Sequence, residues 1–122
     1  MMEDRELLEM AAKAAGIEFT WKNCRLMVGD ADMYGIREII DEEMPFLTSG
    51  VFWHALIDDG HALRLCTKLN LEIERSKCAD RAYCGKVDSA PWVEYVNDQQ
   101  DIYAATRRSI VCAAAEIGES MP

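Results

Sequence analysis

Apolar residues recur every three or four positions in three stretches of the chain, and this spacing predicts three helices. The first is expected over residues 3–15 with Gly16 as its stop, and the last over residues 101–117 with Gly118 as its stop. The middle helix is expected to begin after a capping aspartate, Asp58 or Asp59, and to end at Asn70, which tolerates a left-handed conformation. The positions predicted to face the core are Leu7, Leu8, Ala11, Ala12, Ala15, Ala62, Leu63, Cys66, Leu69, Tyr103, Thr106, Ile110, Ala113, Ala114 and Ile117.

Alternation of apolar and polar residues predicts the strands. Residues 17–21 alternate in this way, and residues 25–28 are expected to return beside them as a hairpin with Asn23 in the turn. Farther along the chain, residues 71–75, 81–87 and 92–96 are predicted to form an antiparallel sheet with one solvated face. The predicted fold class is therefore α+β, with an antiparallel sheet of three to five strands packed against two or three helices.

The weakest pattern lies between residues 29 and 50. Ile36, Ile39 and Ile40 have helical spacing and Pro45 follows them, so a short helix is expected before the proline. The chain has no internal repeat, low-complexity tract or linker. With 122 residues it is expected to form one domain over residues 1–122.

The net charge of the chain restricts the kinds of molecule that the protein is expected to bind. The formal net charge of −9 opposes the binding of nucleic acid through a basic surface. The same charge either steers the protein toward a basic protein surface or only keeps it soluble. No apolar run reaches the roughly 18 residues that span a membrane, and the acidic start is unlike a signal peptide. The protein is therefore expected to stay in the compartment where it is made, with its five unevenly spaced cysteines reduced.

Candidate catalytic and metal sites are weakly supported. His54, His61 and Cys66 have the residue types of a zinc site, but their spacing lacks the close ligand pairs that such sites use. Cys84 is the thiol that a nucleophile hypothesis would pair with either histidine, yet no surrounding motif supports this pairing. The two aspartates before the middle helix form a carboxylate pair, for which helix capping is the simpler interpretation. We therefore expect no catalytic residue, no metal ligand and no cofactor.

Arg107 and Arg108 are the one adjacent basic pair in the sequence. Such a pair either contacts an anion or a partner, or belongs to a solvated helix face with acidic neighbours. We expect the solvated face.

Three stretches of the chain resemble a known family. They are residues 6–17 (ELLEMAAKAAGI), residues 53–65 (WHALIDDGHALRL) and residues 103–118 (YAATRRSIVCAAAEIG). Together they look like small accessory proteins of tailed bacteriophages and prophages, mostly of unknown function, which share a central WxxLxDDGxALRL motif and a C-terminal ATRRxIVxAAAEIG helix. The chain has His54, Ala55 and His61 where the family usually has Asn, Pro and Asp. The two histidines are therefore not features of the family.

The resemblance and the acidic charge favour a non-enzymatic protein that binds and modulates a host protein or protein complex in the host cytoplasm. Phages carry small acidic proteins of this kind, including inhibitors of host nucleases and of CRISPR complexes. The alternative is a small-molecule-binding or metal-dependent domain, and a homodimer is left open. Residues 33–50 look like extra sequence compared with shorter members of the family. A function specific to this protein is expected in this segment. The residues expected to bind the partner are Asp41, Glu42, Glu43, Phe46, Phe52, Trp53, Asp58 and Asp59.

Overall fold

Three helices and five strands make up the described part of the chain. The computed structural model describes residues 2–28, 38–75, 81–86, 91–95 and 102–122. In chain order the elements are α1 (Asp4–Ala15), β1 (Phe19–Val28), β2 (Glu38–Leu47), α2 (Asp59–Lys68), β3 (Glu72–Arg75), β4 (Arg81–Gly85), β5 (Trp92–Tyr95) and α3 (Ile102–Ser120). The strands pair into two antiparallel sheets, β1-β2 and β3-β4-β5. The predicted α+β class is confirmed, with the strands divided between two sheets.

The helix α3 is the element against which the body of the protein packs. It contacts α1, α2 and all three strands of the β3-β4-β5 sheet. α1 runs parallel to α3, since Asp4 pairs with Arg108 (2.8 Å) near one end of the contact. Near the other end, Lys13 Nζ donates a hydrogen bond to the carbonyl oxygen of Met121 (3.0 Å).

Gly118 lies inside α3, so the predicted stop at this residue is wrong. The helix continues to Ser120. A Cβ atom at position 118 would lie 1.9 Å from the carbonyl oxygen of Met10 in α1. The missing side chain therefore permits the close approach of the two parallel helices, which outweighs the low helix propensity of glycine.

The predicted core face is confirmed in α1 and revised in the other helices. All five predicted positions of α1 are buried. By contrast, Leu63 of α2 and Tyr103 of α3 are 59% and 62% exposed. α3 is buried around much of its circumference, because small residues let its neighbours approach from several sides. Its buried residues are Ala105, Ser109, Ile110, Val111, Cys112, Ala113, Ala114, Ala115 and Gly118.

The predicted ends of α1 and α2 are confirmed. The Oδ1 atom of Asp58 accepts a hydrogen bond from the backbone N–H of His61 (2.9 Å) and so caps α2. Gly16 and Asn70 follow α1 and α2 in left-handed conformations, with φ angles of 68° and 54°.

β1 and β2 form a long two-stranded ribbon, which we call the ribbon. β1 runs without a break through Asn23, so the predicted turn at this residue is wrong and residues 25–28 are not a returning strand. The register runs from Phe19 opposite Leu47 to Val28 opposite Glu38. The hairpin partner of β1 is thus β2, which begins ten residues beyond the end of β1.

β2 occupies much of the region where a short helix is expected from the sequence. Ile39 and Ile40 lie within this strand, and Ile36 falls outside the described residues. Isoleucine is β-branched and favours strands, and the helical spacing covers too few positions to outweigh pairing with β1. Pro45 also lies within β2, and its carbonyl oxygen accepts a hydrogen bond from the backbone N–H of Trp53 (3.0 Å).

The predicted antiparallel sheet of the second half is confirmed as β3-β4-β5. Cys84 in the central strand β4 lies opposite Ile73 on one side and Trp92 on the other. β4 contacts α3 and buries Ala82 and Cys84 completely. Among the residues that the structure describes, no helix combines the length and the apolar content needed to cross a bilayer.

Candidate functional site

The acidic run predicted to bind a partner lies on the ribbon. Asp41, Glu42 and Glu43 are consecutive in β2 and all three are exposed. Because side chains alternate along a strand, Glu42 faces the side of the ribbon opposite to that of Asp41 and Glu43. The run therefore presents carboxylates on both sides of the ribbon.

Arg5 of α1 connects one side of the ribbon to the body of the protein. Its guanidinium pairs with the carboxylate of Glu43 and stands 4.5 Å from the ring centroid of Trp21. It also lies 3.7 Å from Glu9, which accepts a hydrogen bond from the Trp21 indole (3.0 Å). The spacing of Arg5 and Glu9 is visible in the sequence as a helical pair, but their meeting with Trp21 and Glu43 depends on packing and strand register.

Two phenylalanines and two histidines meet on the other side of the ribbon, and we call them the aromatic–histidine cluster. Phe46 and Phe52 form an isolated β-bridge, and their ring centroids are 5.9 Å apart. The Phe52 ring lies 6.0 Å from the rings of both His54 and His61. The structure thus brings together Glu42, Phe46 and Phe52 from the predicted partner-binding residues and adds two histidines to them.

Both histidines of this cluster are partly buried, and one hydrogen bond joins them. The His61 side chain is 14% exposed, and its Nδ1 accepts the backbone N–H of His54 (3.0 Å). This places the His61 ring proton on Nε2. The Nδ1 atom of His54 is buried without a hydrogen-bond partner among the described residues.

The pKa of the His54 imidazole is lowered below 6.5. Burial is the main cause, because a buried site disfavours the charged form. The carboxylates of Asp4 and Glu42 oppose this shift, and His61 adds to it. His54 is therefore neutral at pH 7.

The remaining predicted partner-binding residues, Trp53, Asp58 and Asp59, differ in their exposure to solvent and in their contacts. Trp53 is only 5% exposed and packs in the core, with its ring centroid 5.5 Å from that of Phe19. It is therefore not a surface anchor, and the half-buried Phe52 is the aromatic residue of this segment that a partner can reach. The side chain of Asp58 caps α2. Asp59 stays accessible to a partner, because its side chain is 72% exposed.

Arg107 and Arg108 are not part of a solvated face, which corrects the expectation from the sequence. Their side chains are only 19% and 27% exposed. Arg107 pairs with Asp59 (2.7 Å) and donates from Nε to the carbonyl oxygen of Leu56 (2.9 Å). Arg108 pairs with Asp4. Both arginines therefore fasten other segments to α3.

Two of the three thiols in the core, those of Cys84 and Cys112, are held in the protonated form. Cys66, Cys84 and Cys112 are all buried. The hydrogen bond between Cys66 and Cys84 lowers the pKa of Cys66. The same hydrogen bond and burial raise the pKa of Cys84, and burial raises the pKa of Cys112 to about 12. Both thiols are therefore protonated at neutral pH, and a protonated thiol is a poor nucleophile. Cys78 lies outside the described residues.

Metal ligands do not converge in the described part of the chain. No group of three or more His, Cys, Asp or Glu side chains that could hold an ion occurs among the residues searched. The residues of the zinc hypothesis, His54, His61 and Cys66, therefore do not form such a group within that part.

The chain has no counterpart in three comparisons with known proteins. No protein-family model, no curated protein and no solved structure matches it. The resemblance of its three motifs to phage accessory proteins therefore stays a prediction.

Proposed function

We propose that the protein is a non-enzymatic acidic binding protein that uses the ribbon to contact a basic surface of a host protein and thereby modulates it. The observation that supports this most is the exposed run Asp41, Glu42 and Glu43 beside the half-buried rings of Phe46 and Phe52. Carboxylates steer a basic partner and fix its orientation, and an aromatic centre supplies apolar contact.

The shape of the ribbon supports the same function. β1 and β2 pair with each other over ten residues but make few contacts with other elements. The ribbon is therefore a projection, and the acidic run lies near its base, where Glu43 pairs with Arg5. Asp41 and Glu42 are the exposed carboxylates of the run that a partner can reach. At its base, Arg5 and the pairing of residues 51–53 with β2 hold the projection in a fixed direction. A preformed projection loses less conformational entropy on binding than a loop does.

The resemblance of the three motifs to phage accessory proteins is what favours a host protein as the partner. Inhibition of a host nuclease or of a CRISPR complex is the kind of modulation that we propose. Such targets carry basic surfaces for nucleic acid, and a protein of net charge −9 complements a surface of that kind. The proposed place of action is the host cytoplasm.

Capture from a bacterial lysate tests this proposal. The tagged protein is expected to retain a host protein at low salt and to release it as the salt concentration rises. The double variant Asp41→Asn/Glu42→Gln is expected to lose most of the captured protein. The matched control is Glu72→Gln/Glu74→Gln, which removes two exposed acids from β3 and should capture as the wild type does.

Two results would contradict the proposal. One is that no protein is retained at low salt. The other is that the ribbon variant and the control variant retain the same amount of partner. Circular dichroism of both variants establishes that they are folded, so that a loss of capture reports on the surface alone.

A further inference from the structure

A groove of about 540 Å³ lies between α1, α3 and β5, away from the ribbon. Cys112 and Ala115 of α3 are buried residues that form its floor. Leu7 of α1 and Trp92 of β5 line its two sides. α1 and β5 both pack on α3 but make little contact with each other, so the groove separates them. We call it the β5 groove.

One side of this groove is the edge of a sheet. In the order β3-β4-β5, the outer edge of β5 has no strand beside it among the described residues. A strand edge presents backbone N–H and C=O groups that are able to pair with an incoming strand. The β5 groove therefore combines space over α3 with backbone hydrogen-bonding groups along one side.

The charge of the β5 groove is negative. Glu6, Glu94, Glu116 and Glu119 line it, and Arg108 is the cation among its described lining residues. Arg108 is already paired, because it lies 2.8 Å from Asp4 and 3.6 Å from Glu94. The other three glutamates remain to be complemented by an occupant of positive charge.

We propose that the β5 groove binds an extended basic segment of another protein, which adds to β5 as a further strand. Successive side chains of a strand point to opposite faces, so every second residue of such a segment would point toward α3. Those residues would be Lys or Arg, because they meet the glutamates of the groove. Their aliphatic stems would lie along Trp92 and the apolar floor while their charged ends reach the carboxylates. Main-chain pairing with β5 supplies affinity, and the alternating charges supply specificity.

This inference goes beyond the proposed function and does not depend on it. It concerns a different surface, and it names a partner segment by its pattern of alternating basic residues. A free polyamine would satisfy the glutamates without using the edge of β5. The two kinds of occupant are therefore distinguished by whether backbone N–H groups of the ligand are needed.

Peptide binding to the full chain tests the proposal. The probe is a short fluorescent peptide in which Lys and Thr alternate, and its anisotropy is followed as protein is added. A peptide of the same composition with its lysines in one block is expected to bind much more weakly. Two further peptides carry N-methyl groups on alternate residues, one on the even and one on the odd positions. Since only one edge of the peptide pairs with β5, one of these is expected to lose binding while the other retains it.

Variants of the protein locate the binding. Glu6→Gln/Glu119→Gln changes two exposed acids of the groove and is expected to raise the Kd of the alternating peptide about fivefold. Glu72→Gln/Glu74→Gln, on β3 at the opposite edge of the same sheet, should leave the Kd unchanged. The proposal would be overturned if the Kd of the alternating peptide were the same for the wild type, the groove variant and the control variant.

Other results of the peptide experiments would also overturn the proposal. If both N-methylated peptides bind alike, the peptide does not pair with β5 and the proposal fails. It fails too if the alternating peptide does not bind, or if a linear polyamine displaces it and binds with the same dependence on Glu6 and Glu119. None of these outcomes bears on the ribbon, whose test uses Asp41 and Glu42.

Discussion

Replacing Gly118 by alanine is expected to destabilise the protein, although alanine is normally the better residue in a helix. The added Cβ would lie 1.9 Å from the carbonyl oxygen and 2.8 Å from the carbonyl carbon of Met10. Ordinary van der Waals contact begins near 3.4 Å, so α1 and α3 must separate by about 1.5 Å. Both atoms of Met10 belong to the backbone, and no side-chain rotation relieves the clash.

The expected magnitude follows from two opposing effects. Helix propensity favours alanine over glycine by about 1 kcal/mol. Overpacking a well-packed contact costs about 1–3 kcal/mol, and the upper end applies here because the obstacle is backbone. Separation of the helices also loosens the packing of Leu8 and Ala11, which are buried against α3. The free energy of unfolding is therefore expected to fall by about 2 kcal/mol.

Urea unfolding followed by far-UV circular dichroism measures this change. The matched control is Gly60→Ala in α2, where an added Cβ meets only the movable Oδ1 of Asp58, at 3.2 Å. The control is expected to change the free energy of unfolding by less than about 0.5 kcal/mol. If Gly118→Ala is as stable as the wild type, the reasoning about the close approach of α1 and α3 is refuted.

Three further predictions concern the loops and helix ends. The free energy of unfolding is expected to fall as the pH drops below 6.5, because the lowered pKa of His54 in the folded protein means that the unfolded chain takes up the proton first. Urea midpoints on either side of that pH measure the slope, which His54→Asn should reduce, and an equal slope in the variant would contradict the assignment. Arg107→Met is expected to cost about 1–2 kcal/mol of stability, because the carbonyl of Leu56 loses its donor. Thermal unfolding measures this, with the exposed Arg64→Met as a control that should be neutral. Asp58→Ala is expected to cost about 1 kcal/mol through loss of the α2 cap, and Asp58→Ser, which restores a capping oxygen, should recover most of it. Equal urea midpoints for these two substitutions would argue against the cap.

Much of the fold is predictable from the sequence because its signals are local. The apolar spacing of α1, the cap at Asp58 and the left-handed residues Gly16 and Asn70 each act within one or two turns of the chain. The alternation of residues 71–75 likewise identifies a strand without knowledge of its partner. These features are confirmed because no contact with a distant part of the chain opposes these local signals.

The features that the sequence does not predict depend on distant contacts. Ile39 and Ile40 read as helical until β1 is known to lie beside them. Gly118 reads as a helix stop until the backbone of Met10 is placed against it. In the same way, Arg107 reads as solvated because Asp59 and Leu56, which it contacts, lie about fifty residues earlier.

The candidate site shows the same division. The acidic run of β2 is plain in the sequence, and its three residues are exposed in the structure. The burial of Trp53 and the meeting of Phe46, Phe52, His54 and His61 required the pairing of residues 51–53 with β2. The sequence thus indicated the charge of the surface but not which aromatic residue lies beside it.

The parallel arrangement of α1 and α3 has a consequence for biosynthesis. α3 follows every other described element in chain order, so α1, α2 and the β3-β4-β5 sheet leave the ribosome before their common packing surface exists. Until then α1 exposes the apolar face that contains Leu7 and Leu8. The core therefore closes only after α3 has emerged, and docking of the first helix onto the last closes a loop of more than eighty residues.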